Sequence, residues 1–385
     1  MHALSRDQSG RPSQLSLPMS AAEVAACAKL LEGWASGLGA ANGTPVLLTY
    51  MTDTRPPWAL GLSAAHYKIP LVVAGHGMRW GGVGIKLPAA YRAIQMLSAL
   101  LPQYPVIFAD GSDTVVGNSL GLTVTKHVAS SLMGRPISRS SSSRLVANLS
   151  VDSVLLSGEC GSYPLCYREA HERMPTFLEC RTRSSTCYPN SGMFMGSPEA
   201  LMRLLPILHN ISQHGGGVEH NEDQAAANVL YTSSASSRVE HAQLLREGRL
   251  SLVIDDESDV FLSLYGCKFG KTRTIGHGLW LCHEGAYDPL QHISRDGNSI
   301  LHTDRAGRAH RPFLVHASGI HDRLLKAFEL GSPRGNRTNW YDVFARDVLV
   351  DRHPVVVVDS ATQGICNLTT LGALSPISRL SRGQV

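Results

Sequence analysis

Five short stretches of the sequence carry residue types able to hold a cation and a phosphorylated ligand. Phe108-Ala-Asp110-Gly-Ser-Asp113 puts two carboxylates three residues apart, directly after an apolar run. Such a pair at the end of a strand can hold a hard divalent cation, which in turn holds a diphosphate. Gly111 permits the tight turn that brings both side chains round. The same residues also suit a solvated loop in which aspartate caps the following helix. Leu155-Leu-Ser157-Gly-Glu159 ends a second apolar run in a carboxylate, either a site group or a turn residue. Asn190-Ser191-Gly192-Met-Phe-Met-Gly196 places small residues around a short apolar strand, a floor on which a sugar can approach backbone. Glu222-Asp223-Gln224 opens a helical pattern with acids, which the helix dipole alone would favour. Leu314-Val-His316-Ala-Ser-Gly319 puts a histidine at a strand end, and neutral imidazole suits Mn²⁺ as a third ligand.

Positioning these groups requires a sheet. Thr44–Met51, Ile69–Ala74 and Pro105–Asp110 are apolar runs bounded by turn residues, the signature of buried strands. Between the second and third lies 87–101, the clearest helical periodicity in the chain, with Pro88 in its first turn. Strands separated by a helix and short loops pair in parallel through right-handed crossovers, so the fold class is α/β. Further strands are predicted at 153–157, 191–196, 250–255, 260–265 and 313–316, and helices at 21–34, 118–133, 222–231 and 322–330. Residues 138–143 read as a serine-rich loop. The division expected is an N-terminal extension (1–43) with a polar lead and one short helix, a main domain (44–330), and a C-terminal extension (331–385) whose strand at 355–358 has no clear partner.

Composition narrows the function classes. The chain has 385 residues, 43% of them hydrophobic, enough to build a sizeable core. A net charge of +4, evenly spread, gives no footprint for nucleic acid. No apolar run reaches the 18 residues of a membrane helix, and the polar start offers no apolar stretch of a signal peptide. Eight cysteines are too few for a disulfide scaffold; Cys160 with Cys166, Cys180 with Cys187 and Cys267 with Cys282 are local pairs without zinc spacing, open to reading as disulfides or buried thiols.

Taken in order, strand-DxxD, strand-SxE, NSGxFxG, acidic-DQ and strand-VHxxG resemble the glycosyltransferase domain of the procollagen-lysine hydroxylase family, with collagen galactosyltransferases as more distant relatives. The resemblance covers about residues 46–325. It implies a GT-A fold, a Rossmann-like, mostly parallel sheet flanked by helices, that binds a UDP-sugar through Mn²⁺ or Mg²⁺. Asp110, Asp113 and His316 match the metal ligands. Thr49 and Thr52 fall where the nucleoside is held. Trp80 precedes a glycine-rich turn ending in Lys86, which would face the phosphates or fix the loop. Asn190, Ser191 and Gly192 match the sugar-side strand, Glu222 and Asp223 the acidic run near acceptor and donor sugar, and Gly319 a loop that closes on the diphosphate. The implied activity is transfer of glucose or galactose from UDP-glucose or UDP-galactose to a hydroxyl acceptor, with hydroxylysine of a collagen-like chain as one candidate. The implied compartment is the endoplasmic reticulum or Golgi lumen, where the cysteine pairs would be disulfides. Two departures stand out: Ser112 replaces the family's aromatic residue, and the acidic run shrinks to Glu219-His-Asn-Glu222-Asp223.

Three rival readings remain. Ser112 and the shortened acidic run would suit a non-catalytic binding module of the same fold. His302-Thr-Asp304 with His353 mimics the two-histidine, one-carboxylate triad of an Fe(II)/2-oxoglutarate dioxygenase. Gly81-Gly-Val-Gly84 is a poor match to a dinucleotide fingerprint, which makes a plain Rossmann oxidoreductase the weakest reading.

Overall fold

The computed structural model describes residues 19–28 (except 26), 34, 44–52, 59–78, 83–118 (except 112), 121–135, 144–159, 186–214 (except 187), 223–233, 249–264, 273–275, 278–280, 289–296, 299–317 (except 305), 353–360 and 364–374. These residues form an α/β structure around one eight-stranded mixed sheet. The first strands are β1 (Val46–Tyr50), β2 (Leu71–Ala74), β3 (Val106–Ala109) and β4 (Thr114–Val116). Next come β5 (Ser153–Glu159), β6 (Tyr188–Gly196), β7 (Ser251–Asp255) and β8 (Phe261–Ser263). A hairpin of β9 (Arg273–Ile275) and β10 (Gly278–Trp280) precedes β11 (Ile293–Asp296), β12 (Ser299–Thr303) and β13 (Ala309–His310). The last three are β14 (Leu314–His316), β15 (Pro354–Ser360) and β16 (Gly364–Thr370). The longer helices are α1 (Ala59–His66), α2 (Lys86–Leu100), α3 (Gly121–Leu132), α4 (Pro198–His214) and α5 (Asp223–Ser233).

Strand order in the main sheet is β16-β15-β2-β1-β3-β6-β5-β7. The pairs β15–β2, β2–β1, β1–β3 and β5–β7 are parallel, whereas β16, and β6 against both its neighbours, run antiparallel. The expected parallel core is therefore present, but β6 reverses direction within the sheet. Alternation sends successive side chains to opposite faces, and both faces are covered, which is why these strands read as unbroken apolar runs. Leu47, Val73, Ile107, Leu155, Met195 and Val357 pack toward α1 and α3. Leu48, Val72, Phe108, Leu156, Phe194 and Val356 pack toward α2, α4 and α5.

The strand at 355–358 finds its partner: Val355–Val358 pair in parallel with Leu71–Ala74, so the C-terminal segment completes the main sheet. The N-terminal segment is also tied to the body. Arg92 pairs with Glu23 at 3.4 Å, the Trp34 indole donates to the Pro354 carbonyl at 3.3 Å, and Cys27 is disulfide-bonded to Cys366, with Cα atoms 5.5 Å apart. The local cysteine pairs of the sequence, the serine-rich loop at 138–143 and the helix at 322–330 lie outside the described residues. No helix among the described residues is long and apolar enough to cross a membrane.

Candidate metal centre

Three sequence-distant residues converge at the carboxyl ends of β3 and β14, where open α/β sheets bind ligands. Asp110 follows β3 directly, and its backbone N–H donates to the Gly192 carbonyl of β6 at 2.9 Å. Asp113 precedes β4, which pairs antiparallel with β14 in a small sheet, β4-β14-β8. That pairing sets His316 opposite Thr114, and the Ala317 N–H donates to the Asp113 carbonyl at 2.8 Å. The histidine is thus carried back to the Asp-Gly-Ser-Asp turn by strand register.

His316 Nε2 lies 3.4 Å from Asp113 Oδ1 and 3.8 Å from Asp110 Oδ2, and one ligand atom from each residue falls within 4.8 Å of the others. Ligands bonded at about 2.0–2.6 Å to one ion sit roughly 3–5 Å apart, so these three side chains fit a shared divalent cation. Two carboxylates and one imidazole are a donor set that a divalent metal ion accepts. Asp113 and His316 are buried and Asp110 is half-buried, so among the described residues the centre reaches solvent through Asp110.

Lys86, at the first position of α2, is buried against the same cluster. Its Nζ lies 3.0 Å and 3.2 Å from the two Asp110 oxygens and 2.8 Å from Asp223 Oδ2. Burial opposes its charge, but Asp110 and Asp223 hold the ammonium well above its ordinary pKa. Burial, with Asp113 and Asp223 adding to it, pushes the Asp110 carboxyl up against the opposing pull of Lys86 and His316. Burial likewise works against a charged His316, yet Asp113 and then Asp110 hold its imidazole above the usual value. Three carboxylates, one ammonium and one imidazole make up the buried cluster, so acids outnumber bases in it. An excess of buried acids is the kind of charge that a dication would compensate.

The neighbouring strand β6 explains Asn190, Ser191 and Gly192. A register shift between Leu156 and Ser157 marks an irregularity in the β5–β6 ladder opposite Asn190, the kind of bulge that re-aims side chains beside a site. The Asn190 amide donates to Glu159 at 2.9 Å, and its carbonyl oxygen accepts from the Gly192 N–H at 2.9 Å. The Ser191 N–H donates to Gln224 Oε1 at 2.6 Å, while the Gln224 amide donates to the Pro189 carbonyl. Gln224 therefore stands in for a missing strand neighbour, linking α5 to β6. Gly192 lies flat against the histidine: a Cβ there would come within 2.2 Å of His316 Cε1. Gly111 is equally confined, since a Cβ would fall 2.6 Å from Met51 Cε and 2.7 Å from the Thr49 hydroxyl.

Thr49 is buried near the end of β1 beside the Asp-Gly-Ser-Asp turn, and Thr52, two residues past that strand, is half-buried. Asp223 is buried on Lys86, and Glu159 is held on Asn190. Trp80, Glu222, Gly319 and Ser112 lie outside the described residues. The rival triad does not assemble: Asp304 engages Arg308 and His310, His353 Nε2 donates to the Ile69 carbonyl at 3.0 Å, and Asp110, Asp113 and His316 are the metal-capable group among the described residues. Two contributors escaped sequence reasoning, the pairing of Lys86 with both acids and the clamp made by Gln224. A lysine at a helix start upstream of a DxxD turn could have suggested the first; nothing local signals the second.

No protein-family model and no curated protein matches this chain.

Proposed function

We propose that the chain is a metal-dependent glycosyltransferase of GT-A type, moving glucose or galactose from a UDP-sugar to a hydroxyl acceptor. The observation that carries this reading is the convergence of Asp110, Asp113 and His316 at the sheet's carboxyl edge, beside a small-residue strand and a half-enclosed β1 terminus. Asp110, Asp113 and His316 would hold Mn²⁺ or Mg²⁺, which as a Lewis acid stabilises the negative charge of a departing nucleoside diphosphate. Thr49, beside the turn, and Thr52, two residues past β1, would lie toward the nucleoside. Asn190, Ser191 and Gly192, whose amides are engaged by Glu159, Gln224 and one another, would form a floor of small residues beneath the sugar. Asp223, held on Lys86 at the start of α5, and Glu222 would stand near the acceptor or the sugar's developing positive charge. A hydroxylysine side chain in a collagen-like segment is one acceptor of the right chemistry, and a secretory-pathway lumen the matching compartment.

The test is release of UDP from UDP-glucose and UDP-galactose by the purified chain. The expected result is Mn²⁺-dependent turnover, abolished by EDTA and by Asp113→Ala. Absence of turnover of either donor by a chain that binds Mn²⁺ normally would overturn the reading in favour of a binding module.

A further inference from the structure

A buried lysine within reach of two carboxylates has two possible effects on a neighbouring cation site. As a like charge it repels the cation. As a tether it holds a ligand in the one orientation that binds. Geometry separates the two. The ammonium has three hydrogens, and three carboxylate oxygens stand within 3.2 Å of it: both oxygens of Asp110 and Oδ2 of Asp223. The ammonium therefore bridges both Asp110 oxygens, and the second of them, Oδ2, also lies 3.8 Å from His316 Nε2. Lys86 opens α2, Asp110 directly follows β3 and Asp223 opens α5, so a single nitrogen ties together three elements at the rim of the sheet. The lysine stem adds to this: Nζ lies 5.9 Å from the Phe108 ring centroid, and Phe108 stacks on Phe194 of β6. The side chain is 7% exposed, too enclosed to sample alternative partners freely.

We propose that Lys86 is a positioning residue of the metal centre, fixing the Asp110 carboxylate in its cation-binding orientation and tying it to Asp223. The inference rests on the metal centre described under Proposed function and adds how that centre is held. Groups that orient a metal ligand from outside the coordination sphere are worth about 10–100-fold in metal affinity. Simple electrostatics gives the opposite sign, because removing the Lys86 ammonium makes the cluster one charge more negative and should tighten cation binding.

The experiment is Mn²⁺ titration by calorimetry of the full chain, with no sugar present, for the wild type, Lys86→Met and Lys86→Arg, alongside metal-free thermal unfolding. The expected result is a Kd weakened about 10–100-fold in Lys86→Met, with most of the affinity restored by Lys86→Arg, whose guanidinium spans both carboxylates. A folded Lys86→Met that binds Mn²⁺ as tightly as wild type, or more tightly, overturns the proposal. A purely structural ion pair would lower the melting temperature without moving the Kd of the folded protein, which also overturns it. If Lys86→Met fails to fold, Lys86→Gln, which keeps a donor and loses the charge, is read by the same two outcomes. Because Mn²⁺ binding is measured without a donor sugar, loss of the glycosyltransferase reading would show as absent turnover with this dependence on Lys86 intact.

Discussion

Gly192→Ala is the smallest change able to take apart the metal centre without touching a ligand. A Cβ at that position would lie 2.2 Å from Cε1, 2.7 Å from Nδ1 and 2.9 Å from Nε2 of His316. Ordinary contact begins at 3.4 Å, so the ring must retreat by at least 1.2 Å. The ring has little room to do so, since His316 is 3% exposed and its strand is paired on both sides. Metal–ligand distances tolerate only about 0.2 Å, so the displaced imidazole leaves the coordination sphere. Gly192→Ala should therefore match His316→Ala in Mn²⁺ affinity, each weaker than wild type by at least about 10–100-fold. Overpacking should also cost about 1–3 kcal/mol of stability in the metal-free protein. The double variant Gly192→Ala/His316→Ala relieves the clash, so its stability should exceed that of Gly192→Ala alone, a non-additivity expected only for residues in contact. Calorimetric Mn²⁺ titration and denaturant unfolding in EDTA measure both quantities. A Gly192→Ala protein with wild-type Mn²⁺ affinity would refute the placement of His316 against β6.

Other perturbations probe the surrounding structure. Burial, with His310 and His292 adding to it, pulls His302 down to about 4, and burial alone does the same to His353, whose bond to Ile69 opposes it. Both are neutral when folded and titrate higher when unfolded, so stability is full above pH 6.5 and lost as pH falls toward 4, each histidine contributing on the order of 3 kcal/mol. Urea unfolding across that range checks this, and His353→Gln should flatten the slope by about one proton. Gln224→Leu leaves the Ser191 N–H and Pro189 carbonyl without their partner, costing about 1–3 kcal/mol each in unfolding free energy, with a larger rise in donor KM than fall in kcat. Cys27→Ser opens the link between the N-terminal helix and β16 and should lower stability by about 2–4 kcal/mol, and non-reducing peptide mapping should recover the Cys27–Cys366 pair.

Periodicity and apolar runs reveal the layers of this fold better than its directions. The strands β1, β2 and β3 and the helix α2 are legible because both sheet faces are buried, which turns each strand into a continuous apolar run. The antiparallel course of β6 is not, because strand direction depends on pairing with residues far away. The 17-residue α4 escapes a reading by pattern because Pro206 interrupts its interior, where proline removes a hydrogen bond, and tertiary packing carries it through. Val355–Val358 announces a strand but not its partner, since its neighbour β2 lies more than 280 residues earlier. At the site, Asp110 and Asp113 are visible as a local spacing. His316 joins them only through the β4–β14 pairing, and that contact is non-local. The role of Lys86 is hidden for the same reason, because Asp110 and Asp223 belong to different elements.

The most direct measurement is the anomalous difference map of a crystal grown with Mn²⁺ and UDP. A single peak bonded to Asp110, Asp113 and His316 at about 2.0–2.6 Å, with a diphosphate oxygen completing its shell, is the result expected of a cation-anchored nucleotide site. A map in which Mn²⁺ sits elsewhere, or in which UDP binds with no ion between these three side chains, would contradict it.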